Sequence, residues 1–395
     1  MLDEYMSSIG FTEDNIESLQ MIFPPRLYSP STLLYNLKNL HHFFRRNGIT
    51  NEEFVTLINT IPNILFMSVE NIKLKAHELG LLGIKRLDAY QMIKNYPYLL
   101  DISSSKIKRR IDHFVELGFS REDTISILVH ETYLFRYDFS KVKSRFTYLL
   151  EYGYSTIDAV KILTSCPTLF TCSIQEFEKC FTNFLALGFQ KSDIIRITTI
   201  LPDIFLHDTT YIPEKFQVLI EFGYTEVDII HIVQKVPTIL QDYYLNSLNQ
   251  HFEDYLELGF TKENIIFMTC NNPYLLLYSS PFIQTKFSNM MELGYDKNEV
   301  IHLLTSVPIL FGYDFHSIKK KNDFFFYHHL KEYVLEHPKC FLFSNDEIEG
   351  RFQFLESKNL LDGDYTLMFL PEKEFFDKFS VTKRDILRRN DGWMS

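Results

Sequence analysis

The chain contains 395 residues, carries a formal net charge of −11 at pH 7, and is 46% hydrophobic with 37 phenylalanines. This composition provides ample material for an apolar core. The longest uncharged stretch, residues 264–285, contains two prolines and several asparagines and serines, which argue against a membrane-spanning helix. The five cysteines form no C-x-x-C pair, so they indicate neither a disulfide framework nor a zinc site and favour a reducing compartment inside the cell.

The N-terminal segment, Met1-Leu2-Asp3-Glu4-Tyr5, is acidic and leads directly into the first predicted element. It has the features of neither a signal peptide nor an arginine-rich transit sequence. We therefore expect a bacterial cytoplasmic protein, or a mitochondrial protein from which a presequence has been removed.

Glycine recurs at intervals of about 35 residues, and this period is the main organising feature of the chain. The repeat glycines are Gly10, Gly48, Gly83, Gly118, Gly153, Gly188, Gly223, Gly259 and Gly294. From Gly118 onward a phenylalanine or tyrosine follows each glycine, and a proline stands 14 positions after every one except Gly118, where Thr132 takes its place. A period of this length predicts a solenoid, in which each repeat buries its apolar face against its neighbours.

Each repeat predicts two helices and a short turn. Sequences such as Thr50-Asn51-Glu52-Glu53 and Ser120-Arg121-Glu122-Asp123 are typical of helix caps, so a helix should begin just after the glycine and end near the proline. After a turn, a second helix should run into the next glycine, which suits the left-handed position beyond a helix end. In that second helix, apolar residues 11, 7 and 4 positions before the glycine form one stripe, which we interpret as core.

No catalytic or metal-binding motif is visible. The sequence contains no glycine-rich phosphate loop and no G-x-S-x-G, H-E-x-x-H or D-x-D-x-D-G motif. The pairs His41-His42 and His328-His329 lack carboxylates or cysteines at ligand spacing, so we expect packing or surface roles for them. We expect a protein that is not an enzyme and that holds no cofactor or metal.

The repeat resembles that of the mitochondrial transcription termination factor (mTERF) family. The resemblance rests on Leu117-Gly118-Phe119-Ser120, on Leu258-Gly259-Phe260-Thr261 with Ile265, and on Pro167-Thr168-Leu169-Phe170. It covers about residues 1–327, and residues 349–376 are similar to the family's terminal cap. The resemblance implies an all-helical superhelix of three-helix units, the third often a 3₁₀ turn after the proline. It also implies non-catalytic nucleic-acid binding on the concave surface, in organelle transcription, its termination or ribosome biogenesis.

The eighth position before each repeat glycine carries a periodic positive charge. We define the −8 column as Lys75, Arg110, Arg145, Cys180, Lys215, His251, Lys286 and Lys321, the last standing eight before position 329, where the period predicts another glycine. On a helical wheel this position lies at the edge of the apolar stripe. We expect the column to line the concave face and contact phosphates; the alternative is that these long side chains cover apolar surface and keep the array soluble.

Further cations strengthen one region of the chain. A partial second column, ten positions before the glycine, comprises Lys73, Lys108, Lys143 and Lys319. The strongest local cluster combines Lys106, Lys108, Arg109 and Arg110 with Lys141, Lys143 and Arg145 one repeat later. Near the C-terminus, Lys383, Arg384, Arg388 and Arg389 give a local positive excess, for which we favour solvation over phosphate contact.

We therefore predict an all-α superhelical solenoid of about nine mTERF-like repeats over residues 1–327, with a capping repeat and tail over residues 328–395. The predicted function is non-catalytic binding of double-stranded DNA in transcription regulation or termination, by a monomer without membrane attachment. The acidic net charge opposes such binding, because duplex affinity draws on cations that replace condensed counterions. Two alternatives stay open: binding to structured RNA or the ribosome, and a protein-interaction scaffold with a protein partner.

Overall fold

Helices account for all the regular secondary structure in the described part of the chain. The structure is a computed structural model that describes residues 1–25, 27–208, 210–361 and 365–387. Within those ranges it contains α-helices and short 3₁₀ helices and no β-strand, which confirms the predicted all-α repeat fold. No helix within the same ranges is long and apolar enough to span a membrane. Arg388 and Arg389 lie outside the described residues.

Long and short helices alternate along the chain. The odd-numbered helices, most of which are long, are α1 (Leu2–Ser8), α3 (Pro30–Arg46), α5 (Val69–Leu81), α7 (Ser104–Glu116), α9 (Phe139–Tyr152), α11 (Ile174–Ala186), α13 (Tyr211–Phe222), α15 (Asp242–Leu258), α17 (Ser280–Glu292), α19 (Phe315–Tyr327) and α21 (Asn345–Ser357). The even-numbered helices are α2 (Glu13–Ile22), α4 (Asn51–Thr60), α6 (Arg86–Asn95), α8 (Arg121–His130), α10 (Thr156–Ser165), α12 (Lys191–Ile200), α14 (Glu226–Lys235), α16 (Lys262–Asn271), α18 (Lys297–Ser306) and α20 (Lys331–Glu336). Two short helices, α22 (Glu372–Phe379) and α23 (Lys383–Leu387), follow them.

A 3₁₀ helix follows each short helix from α4 to α20, and almost all of these begin at a proline. They are Pro62–Phe66, Pro97–Asp101, Thr132–Phe135, Pro167–Phe170, Pro202–Leu206, Pro237–Leu240, Pro273–Leu277, Pro308–Gly312 and Pro338–Leu342, and a further one is Thr366–Phe369. The predicted turn therefore forms at Thr132 even without the proline. Each repeat thus contains a long helix, a short helix and a 3₁₀ helix.

The chain divides into two compact units. Unit 1 comprises Met1–Ala186 and Gln190–Thr209, and unit 2 comprises Leu187–Phe189 and Thr210–Ser395. The domain boundary predicted at residue 327 falls at the end of α19, inside unit 2, and the repeat pattern continues beyond it in α20 and its 3₁₀ helix. That boundary stays a prediction.

All nine repeat glycines occupy the left-handed region, with φ between +85° and +114°. They end the long helices as predicted, because a residue with a Cβ is strained at such a φ angle. His329, 35 residues after Gly294, has φ +58°, and Asn359 has φ +53° after α21. The period therefore continues past the last repeat glycine with other residues in its place.

Side-chain caps fix the start of most short helices. The Thr50 hydroxyl accepts a hydrogen bond from the Glu53 amide at 3.2 Å, and the Glu53 carboxylate accepts one from the Thr50 amide at 2.8 Å. Ser120 and Thr225 cap α8 and α14 in the same position. These contacts confirm the predicted caps and satisfy amides that the first helical turn leaves without partners.

The predicted apolar stripe forms the core of both units. The residues 11 and 4 positions before the repeat glycines are at most 2% exposed: Leu37, Ile72, Ile107, Val142, Phe177, Ile212, Leu248, Ile283, Leu79, Phe114, Leu149, Phe184, Leu219, Tyr255 and Met290. The aromatic residues that follow the glycines pack with them, as in the edge-to-face contact of Phe114 and Phe119 at 5.5 Å between ring centroids. The aromatic periodicity is therefore packing, as the sequence indicated.

Two of the three tyrosines that follow a repeat glycine are matched by threonines in the next repeat. The Tyr154 hydroxyl lies 2.5 Å from the Thr198 hydroxyl, and the Tyr224 hydroxyl lies 2.8 Å from that of Thr269. Since Thr198 donates to the Ile194 carbonyl, the Tyr154 hydroxyl is the donor of the first pair. Where phenylalanine follows the glycine instead, the position equivalent to the threonine is apolar: Leu163, Val233 and Leu304.

We expect Gly188→Ala to lower the stability by about 1–2 kcal/mol, because Gly188 has φ +91°. Gly80 provides a matched control, since it is helical, has no atom within 4 Å of an added Cβ, and lacks the positive φ. Gly80→Ala should raise stability by up to about 1 kcal/mol, as alanine favours a helix. Thermal unfolding followed by circular dichroism distinguishes the two, and equal effects would refute the role of Gly188 at the helix end.

We expect Thr198→Val to destabilise the protein by about 1–3 kcal/mol, because it leaves the buried Tyr154 hydroxyl without a partner. Adding Tyr154→Phe should recover most of this stability, since both polar groups are then removed. Urea unfolding of the two single variants and the double variant measures the coupling. Additive effects would show that the pair does not interact.

Candidate nucleic-acid interface

Most cations of the −8 column donate hydrogen bonds to the backbone of the following repeat. The bonds run from Lys75 Nζ to the Ile102 carbonyl (2.6 Å), from Arg110 to the Leu134 and Tyr137 carbonyls (2.7 and 2.8 Å), from Arg145 Nε to Cys172 (2.8 Å), from Lys286 Nζ to Tyr313 (2.5 Å) and from Lys321 Nζ to Phe341 (2.8 Å). Lys215 instead forms an ion pair with the Asp242 carboxylate. These six cations therefore link their long helices to the following repeats.

The acceptors share one location, at or next to the C-terminal end of a 3₁₀ helix. Ile102 follows Pro97–Asp101, and Tyr313 follows Pro308–Gly312. Carbonyls at a helix end have no partner within the helix and carry partial negative charge, so a cationic donor suits them. Hydrogen bonds from a charged donor are also stronger than those between neutral groups.

These cations are held between apolar and aromatic groups. Lys75 is only 8% exposed and Lys321 only 5%. The Lys321 ammonium lies 5.0 Å from the Tyr313 ring centroid, and the Arg110 guanidinium lies 5.5 Å from that of Phe139. Burial lowers the pKa of Lys321 and of Arg110 from their ordinary values. The donors of these side chains are used inside the protein, and direct phosphate contact by the column stays a prediction.

Two positions of the column lack a permanent cation. Cys180 is buried, and burial raises the pKa of its thiol to about 12, so it is a neutral packing residue. His251 is also buried, and its Nδ1 has no hydrogen-bond partner among the described residues. Burial lowers the pKa of His251, and the neighbouring Asp254 carboxylate raises it to a smaller extent. These two repeats therefore lack the charged link to the next repeat.

Arg351 extends the column, although the sequence analysis missed it. It is fully buried in α21 and donates to the Met368 and Leu370 carbonyls at 3.1 and 2.6 Å, next to the end of the last 3₁₀ helix. It also pairs with Glu347 at 2.6 Å. Arg351 stands eight residues before Asn359, which has the positive φ of a repeat glycine. The sequence alone did not identify Arg351, because Asn359 occupies the position that a glycine holds in the earlier repeats.

A different set of cations faces the solvent. We define the basic patch as Lys106, Lys108 and Arg109 of α7 with Lys141 and Lys143 of α9, all exposed. Their side chains form no ion pair or hydrogen bond with any described residue. The exposed members of the predicted cluster thus lie on two helices of unit 1 and are available to a ligand.

A pocket of about 450 Å³ lies beside the basic patch. It is lined by Ile102, Lys106, Arg109, Arg110, His113, Phe135, Asp138 and Phe139. The one carboxylate, Asp138, caps α9 through the Ser140 amide at 2.8 Å, and this bond is the main reason that the pKa of Asp138 is lowered. The His113 Nδ1 atom is buried and has no partner among the described residues. Three cations at one opening favour an anionic group there.

The outer members of the second column are neutralised. Lys73 lies 3.8 Å from Glu70, and Lys319 lies 3.1 Å from Asp323. Lys320 next to it pairs with Glu349 at 3.3 Å. Only Lys108 and Lys143 of this column remain without such partners in the described chain, and both belong to the basic patch.

The fold defines a helical-repeat protein, and comparison of the sequence with family models identifies the family to which it belongs. The model of the mTERF family matches residues 31–179, 159–288 and 212–375, which together cover most of the chain. The protein therefore belongs to the mTERF family, which is associated with nucleic-acid binding and transcription termination. Comparison of the sequence with curated proteins gave no significant match.

We expect Arg110→Met to destabilise the protein by about 1.5–3 kcal/mol, because two backbone carbonyls are deprived of a charged donor. The neighbouring Arg109 is exposed and unpaired, so Arg109→Met is a matched control and should change stability by less than about 0.5 kcal/mol. Urea unfolding measures both. If Arg110→Met were as neutral as its control, the −8 column would not stabilise the repeat interface.

Proposed function

We propose that this mTERF protein binds nucleic acid without catalysis, that its ligand is double-stranded DNA, and that it acts in transcription regulation or termination. The basic patch makes the phosphate contacts. In this proposal Arg110 and the rest of the −8 column hold the long helices that carry the patch, because their donors are bonded to backbone carbonyls.

The observation that carries the proposal is the group of five exposed, unpaired cations on two neighbouring long helices. Exposed lysines and arginines that neutralise phosphates release condensed counterions, and this release supplies most of the affinity for a duplex. A protein with a net charge of −11 can gain affinity from counterion release only where its cations are concentrated. Phosphate contacts position a protein on nucleic acid and carry no sequence information by themselves.

The family supports the proposal from a separate direction. The mTERF model matches residues 31–179, a range that contains both α7 and α9. The pocket beside the patch offers Lys106 and Arg109 to one anionic group. Arginine suits such a position because its planar guanidinium can donate two parallel hydrogen bonds to a phosphate.

We expect a variant with Lys106, Lys108, Arg109, Lys141 and Lys143 all changed to Gln to bind a labelled DNA duplex more weakly. A plot of its log K against log salt concentration should have a slope that is less steep by about 0.9 for each phosphate that the variant no longer neutralises. Fluorescence anisotropy at several salt concentrations measures both quantities. Because these side chains have no internal partners, the thermal stability should stay unchanged.

The matched control changes five other exposed cations, Lys85, Lys161, Arg196, Lys235 and Lys339, to Gln. Each variant removes five positive charges, so a general effect of net charge would weaken binding equally in both. Equal weakening would show that the basic patch does not contact the nucleic acid. A salt slope that stays at the wild-type value in the patch variant would show the same. Tighter binding to structured RNA than to the duplex would support the basic patch as the binding site. It would also show that the ligand is RNA and not double-stranded DNA.

A further inference from the structure

A second periodic surface follows the long helices near their C-terminal ends. The third residue before the repeat glycine or its equivalent is apolar from α7 to α19: Val115, Leu150, Leu185, Ile220, Leu256, Met291 and Phe326. Isolated apolar residues on a surface need no explanation, but a column of them in successive repeats does. This position lies at the edge of the core stripe, one helical turn beyond the residues at −7, and most of its side chains are exposed.

In unit 2 this column is exposed and bordered by carboxylates. The exposed fractions are 38% for Ile220, 49% for Leu256, 45% for Met291 and 36% for Phe326. The next residue is Glu221, Glu257 and Glu292 in α13, α15 and α17, and all three glutamates are exposed. We define these four apolar residues and three glutamates as the apolar–acidic band.

Contacts between the long helices show that the helices carrying the band are neighbours. Phe222 of α13 and Phe252 of α15 have ring centroids 4.6 Å apart. Asp254 of α15 accepts a hydrogen bond from Ser280 of α17, and Asn322 of α19 donates to the Leu293 carbonyl at 3.0 Å. Neighbouring helices pack about 8–10 Å apart, so four of them span about 25–30 Å, the length of a helix of about 20 residues.

The band carries three carboxylates at helix ends. Each glutamate lies in the last turn of its helix, where the carbonyl ends already carry partial negative charge. None of the three forms an ion pair with a described residue; Glu221 accepts only a hydrogen bond from Gln217 at 3.3 Å. Lys262 and Lys297 extend over Gly223 and Gly259 without pairing with the band's carboxylates. A cationic, partly apolar partner is therefore complementary to this surface.

We propose that the apolar–acidic band docks a basic amphipathic helix of a partner protein. Apolar residues on one face of that helix contact Leu256 and Met291, and lysines or arginines beside them pair with Glu221, Glu257 and Glu292. This mode of recognition uses side chains spaced three and four residues apart on the bound helix. The band lies in unit 2, whereas the basic patch lies in unit 1, so the inference does not depend on the proposed nucleic-acid function.

The test uses the full chain and a fluorescein-labelled 20-residue peptide of leucine and lysine, with leucines spaced to form one face of a helix. Anisotropy should show binding to the wild-type protein and at least tenfold weaker binding to the variant Glu221→Lys, Glu257→Lys and Glu292→Lys. A peptide with glutamate in place of lysine should not bind. The five-residue basic-patch variant should bind the lysine peptide like wild type, which separates this site from the nucleic-acid proposal.

The matched control is Glu226→Lys, Glu332→Lys and Glu336→Lys, which changes three exposed glutamates of α14 and α20 in the same unit. It alters the net charge equally and should leave peptide affinity within twofold of wild type. Leu256→Ser with Met291→Ser tests the apolar half of the band and should weaken binding about tenfold at unchanged net charge.

Three results would overturn the proposal. One is equal weakening in the two lysine variants, which would indicate general attraction to an acidic protein. Another is full peptide binding by the serine variant, which would remove the apolar contact. The third is concentration-dependent dimerisation of the wild-type chain that the band variant abolishes, because the occupant would then be a second copy of this protein.

Discussion

The hydrogen bond from a cation on one long helix to the carbonyl at the end of the next 3₁₀ helix is the contact on which this repeat architecture depends. A solenoid has no contacts between distant repeats, so its stability is the sum of the repeats and of their neighbouring interfaces. Apolar packing drives those interfaces without fixing their geometry. A charged bond to one carbonyl is directional, and in Lys75, Arg110 and Lys286 it recurs with a spacing of 27 residues along the chain. It therefore specifies how successive repeats stack.

The interfaces are nevertheless individually adjusted. Tyr154 and Tyr224 each face a threonine that satisfies their hydroxyl, whereas the Tyr295 hydroxyl is buried without a partner in the described chain. The exception has a local cause: α20 is only six residues long, so the position equivalent to Thr198 falls in the 3₁₀ helix that follows it. Cys180 and His251 similarly interrupt the charged links. Interfaces built from one repeat pattern thus differ in strength, because single residues decide whether each buried polar group is satisfied.

Local chemistry made most of the fold predictable from the sequence. Glycine at the left-handed position, threonine or serine caps and proline at the start of the 3₁₀ helix each act within a few residues, so their spacing was sufficient. The −8 column was visible as a period, but its bonds were not, because the acceptor is a backbone carbonyl in another repeat and no side-chain pattern marks it. Arg109 and Arg110 are adjacent in α7, yet Arg110 donates to backbone carbonyls and Arg109 has no internal partner. Only the packing of α7 against the next repeat separates the two.

The net charge of −11 and a phosphate-binding patch are compatible because, in α7 and α9, most of the cations lie near the start of the helix and a glutamate lies near its end. In α7 the patch residue Lys106 and the terminal Glu116 are ten residues apart, and at 1.5 Å per residue the separation is about 15 Å. The Debye length at physiological ionic strength is about 8 Å, so the acidic end screens little of the basic end's attraction for phosphate. The same distance leaves the terminal carboxylates free to act on a different ligand. Placing opposite charges at opposite ends of α7 and α9 therefore lets an acidic protein present a basic surface.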